Sequence, residues 1–355
     1  LSHHWYLQNI QSSFDTCSPG CTWGCDGRFK IKGDESPEAK KLAGLSGYKP
    51  EYLAVASLGI MTDIADMPAV AYLNDKMRKY GMDLMEVGAC AGMLMELWQR
   101  GIINDRDTAE WVGQPLSLEW GSVEAVEKII DSIALQDNKL GNLLKEGVYR
   151  AALKLEEIKE GPVRKYVLYG KGGSPFNEEL RHFPSWIINM AVASRGADHL
   201  KGSGTLDKGN RTDWAQYFFA DPRAAEPNST HLKGAGSAAC EDFTAIMNCL
   251  GVCNSPMWDP VNIPVELLAE SLQAATDAPI TAQEIMSAGR RTVNLEKAFN
   301  SRLGLRREDD MICERWLKEA EPEGPGKGWK AEDFFEKLKD EYYLSHGWDP
   351  RTSLQ

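Results

Sequence analysis

Apolar positions recur at threes and fours along most of the chain, a period that predicts helices. The pattern is clearest from Ile64 to Tyr80, where Ile64, Met67, Val70, Ala71, Leu73, Met77 and Tyr80 share one face and Gly81 closes the helix. A shorter apolar run, Glu51 to Gly59, precedes it. Asp83 is placed to cap the next helix, whose apolar face is Met85, Val87, Met93, Met95 and Leu97. Amphipathic stretches follow at 123–133 and 148–158, before a break at Lys159-Glu-Gly-Pro162. Beyond it, 185–194, 236–249, 264–272, 281–303 and 331–343 carry the helical period again, with Pro and Gly in the linkers. One segment, Lys165-Tyr-Val-Leu-Tyr169, reads as a strand and leads into Gly170-Lys-Gly-Gly-Ser-Pro175, which lacks the Gly-Lys-Ser/Thr ending of a phosphate loop. The expectation is a mainly α protein of two helical domains, 1–165 and 166–355.

Composition narrows the class. The 355 residues, 43% hydrophobic and 26% charged, describe a globular protein with a large core. A net charge of −12 disfavours nucleic acid or an anionic membrane as partner. No stretch approaches the roughly 18 uninterrupted apolar residues of a spanning helix, and the start lacks a signal-peptide pattern. A cytoplasmic, reducing location is expected, and without secretion the tripeptide Asn228-Ser-Thr230 carries no meaning as a glycosylation site. The first residue is Leu1 rather than Met, so the sequence reads as part of a longer chain.

Against this background one stretch stands out: Asp15-Thr-Cys17-Ser-Pro-Gly-Cys21-Thr-Trp-Gly-Cys25. Pro19, Gly20 and Gly24 oppose a helix, so a loop that folds its sulfurs toward one point is the better reading. Three clustered thiols cannot pair among themselves without leaving one over, and they suit a soft metal centre, zinc or iron–sulfur. Either usually takes a fourth thiolate. Cys253 is the best candidate, on a turn bracketed by Gly251 and Pro256, while Cys240, Cys249 and Cys313 read as buried hydrophobes. Cys90 reads as a buried thiol too.

The ordered set of motifs resembles the tungsten-dependent aldehyde ferredoxin oxidoreductase family. The resemblance runs through the cysteine loop, Lys49-Pro-Glu51-Tyr52, Tyr80-Gly-Met-Asp83, Arg195-Gly-Ala-Asp-His199-Leu-Lys201 and Cys249-Leu-Gly-Val-Cys253. It continues through Gly289 to Gly304, Arg307-Glu-Asp-Asp310 and Tyr342 to Asp349. It implies two helical domains, the second and third of that family, and a bis-pterin tungsten (or molybdenum) site beside a four-iron four-sulfur cluster. By the same resemblance Cys17, Cys21, Cys25 and Cys253 are the cluster ligands. The pterin motifs Asp-x-x-Gly-Leu-Asp and Asp-x-x-Gly-Leu-Cys fall on Arg78-Lys-Tyr-Gly81-Met82-Asp83 and Asn248-Cys-Leu-Gly251-Val252-Cys253. Arg78 and Asn248 stand where the family has aspartate, and the first cysteine gap is one residue longer than usual.

His199 matches the family's active-site histidine, a proton donor or acceptor, and Lys201 its pterin-contacting lysine. Glu51 matches an active-site glutamate, although Leu53 occupies the place of the usual second one. The implied activity is oxidation of a small-molecule aldehyde to a carboxylic acid, with electrons passing through the cluster to ferredoxin or another iron–sulfur carrier. A rival within the family is a reductase subunit of the benzoyl-CoA-reducing type; one from another class is a non-catalytic helical protein with a structural zinc–thiolate staple. Members of the family also carry an N-terminal β domain, for which nothing in these residues corresponds, so a longer chain or a separate subunit is expected to supply it.

Overall fold

A computed structural model describes residues 11–19, 21, 24–34, 36–175, 178–202, 205–254 and 263–354. The chain divides into two compact units, 1–167 and 168–355.

The first unit opens with a small antiparallel sheet, β1 (Gln11–Asp15), β2 (Asp26–Lys30) and β3 (Ser46–Tyr48), in that order across the sheet. Asp15 pairs with Asp26, and Phe29 with Gly47. Phe29 and Ile31 are fully buried and pack on Ala39, Met67 and Ala71. Between β2 and β3 lies a short helix, α1 (Pro37–Lys41), capped by Ser36.

Then come α2 (Tyr52–Leu58), α3 (Met67–Tyr80), α4 (Leu84–Gln99), α5 (Asp105–Val112) and α6 (Val123–Leu135). The helix expected from Ile64 begins at Met67, because the Asp66 carboxylate accepts from the Ala69 amide and sets the N-terminus there. The core crossing is α4 on α2, so close that a Cβ on Gly88 would lie 2.6 Å from the Ser57 carbonyl. Lys76 ties α3 to α6, at 2.7 Å from Glu127 and 2.8 Å from Asp131. The unit closes with α7 (Lys139–Leu144) and α8 (Val148–Lys159).

The strand expected at Lys165–Tyr169 is absent: Arg164–Tyr166 form a single 3-10 turn, and the only pairing nearby is the isolated bridging of Gly170 with Gly173 and Ile312. Glu156 accounts for this, since its carboxylate takes the Arg164 amide at 2.8 Å and its guanidinium at 2.6 Å, turning the backbone at the end of α8.

The second unit contains α9 (Pro184–Val192), α10 (Thr205–Lys208), α11 (Thr212–Phe219), α12 (Lys233–Leu250), α13 (Val265–Thr276), α14 (Ala282–Arg302), α15 (Glu314–Lys318) and α16 (Phe335–His346). Its centre is α12, which packs on both α14 and α16. A Cβ on Gly289 would meet the Asp242 carbonyl at 2.1 Å, so glycine is what permits this spacing of α12 and α14. Among the described residues no single helix is long and apolar enough to cross a membrane. The two units are helical apart from the small sheet, the expected mainly α class.

Candidate functional site

In the first unit the cysteine loop joins β1 to β2, and the pairing of Asp15 with Asp26 brings its ends together. It is a loop, as the Pro and Gly content requires. The Asp15 and Asp26 carboxylates each accept from the next backbone amide, at 2.9 and 2.8 Å, and the Cys21 amide donates to the Ser18 carbonyl at 3.1 Å. Lys49, buried, donates from Nζ to the Cys25 carbonyl at 2.5 Å and anchors the far end. Cys17 and Cys25 are exposed and Cys21 is half-buried; Gly20, Thr22 and Trp23 lie outside the described residues. Among the described residues no group of three His, Cys, Asp or Glu side chains stands close enough to hold a metal. The donor chemistry of three accessible thiols on one pinned loop fits a thiophilic centre, with the ligand set not closed.

Gly81 and Gly251 adopt the same conformation, each at φ +68°. Gly81 N–H donates to the Arg78 carbonyl at 3.1 Å and Met82 N–H to that of Met77 at 3.2 Å; Gly251 N–H donates to Asn248 at 3.2 Å and Val252 N–H to Met247 at 2.9 Å. Each is the left-handed end of a helix, closed by the same pair of bonds. No atom lies within 4 Å of a Cβ built on either glycine, so backbone conformation rather than crowding requires glycine there. Asp83 follows the first turn and caps α4 through a 2.9 Å bond from the Glu86 amide. Asn248, Gly251 and Cys253 are exposed and Val252 is half-buried; Cys249, expected to be buried, is exposed as well, because it lies in the last turn of α12. Such ends present carbonyl oxygens and partial negative charge, which suits a ligand edge rich in N–H donors. Arg78 is exposed, with its guanidinium over the ring of Tyr48.

Glu51 precedes α2 at its N-cap position, exposed, and makes no capping hydrogen bond. Cys90 is buried within α4, where burial pushes its thiol up and keeps it protonated. Cys313 is raised likewise by burial.

In the second unit, the chain leaving α9 turns through Ser194 to Lys201. His199 is 4% exposed, and burial is the main force lowering its pKa to about 4, with Lys208 and Arg195 adding to the effect and Asp198 and Glu178 opposing it. The imidazole is therefore neutral at neutral pH. Asp198 braces the turn, pairing with Arg195 and accepting from the Leu200 amide at 2.9 Å. Lys201 extends its ammonium to Glu296 Oε1 at 2.5 Å, and Ser194 Oγ donates to Glu296 Oε2 at 2.5 Å. One turn along α14, Asn300 Nδ2 donates to the Ser194 carbonyl at 2.6 Å. The fold thus brings His199 and Lys201 onto one braced segment. Glu296 and Asn300 were within reach of sequence only as members of the α14 motif; no role follows from their spacing, because their partners lie about a hundred positions away.

Comparison with known proteins agrees with the resemblance in the motifs. The profile of aldehyde ferredoxin oxidoreductase, domains 2 and 3, matches residues 2–354. A tungsten-containing aldehyde ferredoxin oxidoreductase of Thermococcus kodakarensis is 24% identical over 309 residues, 84% of this chain and 46% of the relative. An aliphatic sulfonate oxidoreductase, WOR-like subunit, of Pyrococcus furiosus is 30% identical over 172 residues, 48% of this chain and 26% of the relative. The chain thus spans about half the length of the aldehyde oxidoreductases it matches. Among solved structures, the active-site complex BamBC of benzoyl coenzyme A reductase with 1,5-dienoyl-CoA shares the fold, with a TM-score of 0.73 and 17% identity over 99% of this chain and 53% of that one. With the profile spanning both helical units, the chain belongs to the aldehyde ferredoxin oxidoreductase family, in its domains 2 and 3.

Proposed function

We propose that this chain holds the cofactors of a tungsten oxidoreductase that oxidises an aldehyde to a carboxylic acid. The observation that carries the reading is the braced segment that presents His199 and Lys201, in a chain matched by the family profile from end to end. Cys17, Cys21, Cys25 and Cys253 would hold a four-iron four-sulfur cluster. The twin helix ends at Gly81–Asp83 and Asn248–Val252, with Lys201, would hold the two pterins. When bound, these groups supply a two-electron acceptor and a one-electron exit toward ferredoxin or a similar iron–sulfur carrier.

The protein's own residues do the rest. An aldehyde and water yield a carboxylic acid, two electrons and two protons. His199, neutral, takes one of these protons at the ring nitrogen that bears no hydrogen and, with its pKa lowered to about 4, passes it on readily to solvent, where the second proton also goes; its burial keeps water from competing for that nitrogen. Lys201 offers an ammonium held in place before any ligand arrives. Glu51, exposed and not spent on a helix cap, is the candidate to orient the attacking water. An N-terminal β domain or a partner subunit is assigned the far wall of the cofactor site.

A second reading, a reductase subunit of the benzoyl-CoA-reducing type, is favoured by Leu53 and Arg78, both of which replace acidic residues of the family pattern. Aldehyde-dependent reduction of viologen dye, measured on protein purified without oxygen together with its tungsten, iron and zinc content, separates the readings. Dye reduction with tungsten and iron bound supports aldehyde oxidation. Both metals without turnover on any aldehyde favours the reductase, and zinc alone overturns the redox reading altogether.

A further inference from the structure

We infer that Glu296 is the positioning residue of the site: it fixes the ammonium of Lys201, and with it the segment that carries His199. The role toward cofactor rests on the proposed reading of Lys201 as a pterin contact.

The carboxylate of Glu296 divides its two oxygens between the two ends of one short segment. Oε1 takes the Lys201 ammonium at 2.5 Å and Oε2 the Ser194 hydroxyl at 2.5 Å. Asn300, on the same face of α14, adds the bond to the Ser194 carbonyl. Residues 195–200 are therefore strung between two points on a single helix, with Asp198 bracing the middle through Arg195 and the Leu200 amide. The helix itself is firmly seated, by the close approach of Gly289 to Asp242, by Arg290 to the same residue and by the 2.9 Å bond from Trp348 Nε1 to Asn294.

The electrostatics point the same way. The Lys201 side chain is only 13% exposed, so a contacting anion replaces much of the water that its ammonium gives up. Glu296 supplies that anion and uses one of the three donors of the ammonium, leaving two for an anionic or carbonyl group of a ligand. A lysine held by a carboxylate before binding has already lost its rotamer freedom, which a floppy lysine would lose only on meeting the ligand.

The experiment uses the purified protein carrying Glu296→Gln, Glu296→Asp, Ser194→Ala or, as control, Leu295→Ala at the exposed neighbouring position. Amide hydrogen exchange and acetylation of the Lys201 amine are followed by peptide mass spectrometry, beside bound pterin. Glu296→Gln should accelerate both exchange in 195–202 and Lys201 acetylation by about ten- to a hundredfold, the factor for one lost charge-assisted hydrogen bond. Helices 184–192 and 282–302 should keep their protection. Glu296→Asp should restore part of it, and Ser194→Ala should loosen the segment while leaving the lysine protected. Bound pterin should fall in Glu296→Gln and Lys201→Ala alike. Unchanged Lys201 acetylation in Glu296→Gln, or equal loosening of the two flanking helices, overturns the role of Glu296. So does a pterin content lowered by Lys201→Ala and untouched by Glu296→Gln. A segment that loosens as expected, with pterin unchanged in both variants, overturns the cofactor reading of Lys201 and leaves the clamp standing.

Discussion

The guanidinium of Arg78 lies over the ring of Tyr48, 4.4 Å from its centroid, and Arg28 lies over the same ring at 3.7 Å. Arg78 thereby links α3 to β3, in the place where the family pattern has an aspartate that accepts pterin N–H groups. An arginine has no acceptor to offer, so its side chain here belongs to the scaffold of the first unit. Arg78→Asp is expected to cost about 0.5–1 kcal/mol through the lost cation–π contact. The melting temperature should fall by about 1–4 °C, the scale for a unit of this size. Tyr48→Leu should cost a similar amount, and the double variant should cost less than the sum. Strict additivity would show that the two side chains do not interact.

The four candidate cluster thiols should behave as a set. After anaerobic reconstitution with iron and sulfide, wild-type protein should bind about four irons per chain. Cys17→Ala, Cys21→Ala, Cys25→Ala and Cys253→Ala should each lose more than half of that iron. Cys240→Ala and Cys313→Ala, at buried positions, should retain it. Iron content indifferent to Cys253→Ala would remove that residue from the ligand set.

The helices were legible because their apolar period persists over many residues, as in the run from Met67 to Tyr80. The sheet was not. Its strands are five, five and three residues long, and in Asp26-Gly-Arg-Phe-Lys30 the buried positions are only Gly27 and Phe29. Two alternations in a polar segment make too weak a signal, whereas Lys165–Tyr169 carried the stronger alternation and lost it to the carboxylate of Glu156. At the site, the glycines of the two helix ends were readable one by one from spacing. The Lys201–Glu296 contact was not, since nothing in either neighbourhood names a partner ninety-five positions away.

A buried carboxylate, Asp310, ties elements of the second unit together. Asp310 is 1% exposed and meets the ammonium groups of Lys171 at 2.6 Å and Lys297 at 3.1 Å, with the Tyr343 hydroxyl donating at 2.6 Å. Asp310→Asn would leave two nearly buried ammonium groups without an anion, a loss on the order of 3–5 kcal/mol. A fall in melting temperature of about 10 °C or more is expected. Asp349→Asn, which breaks the exposed pair with Arg351, should leave the melt where it was. Equal effects from the two variants would deny Asp310 its organising role.

The last prediction concerns pH. Asp242 sits on α12 with its side chain 4% exposed, and burial raises its pKa to about 6. The groups facing it are Arg290 from α14, whose Nε lies 2.6 Å from Oδ2, Glu241 beside it on α12, and His346 from α16, whose Nδ1 lies 3.8 Å from Oδ1. Arg290 and His346 oppose the rise and Glu241 assists it. A carboxyl whose folded pKa exceeds its unfolded value of about 3.9 favours the folded state fully below that value, and the contribution is lost as pH rises through 6. The shift of about two units corresponds to about 3 kcal/mol. Asp242→Asn removes the titration while preserving volume and one acceptor for Arg290. The stability of wild type relative to this variant should therefore decline by about 2 kcal/mol between pH 4 and pH 7, with the midpoint near pH 5. Denaturant unfolding of both proteins across that range reads the difference directly. A difference that stays constant with pH would mean that Asp242 is ionised throughout, and that Arg290 outweighs its burial.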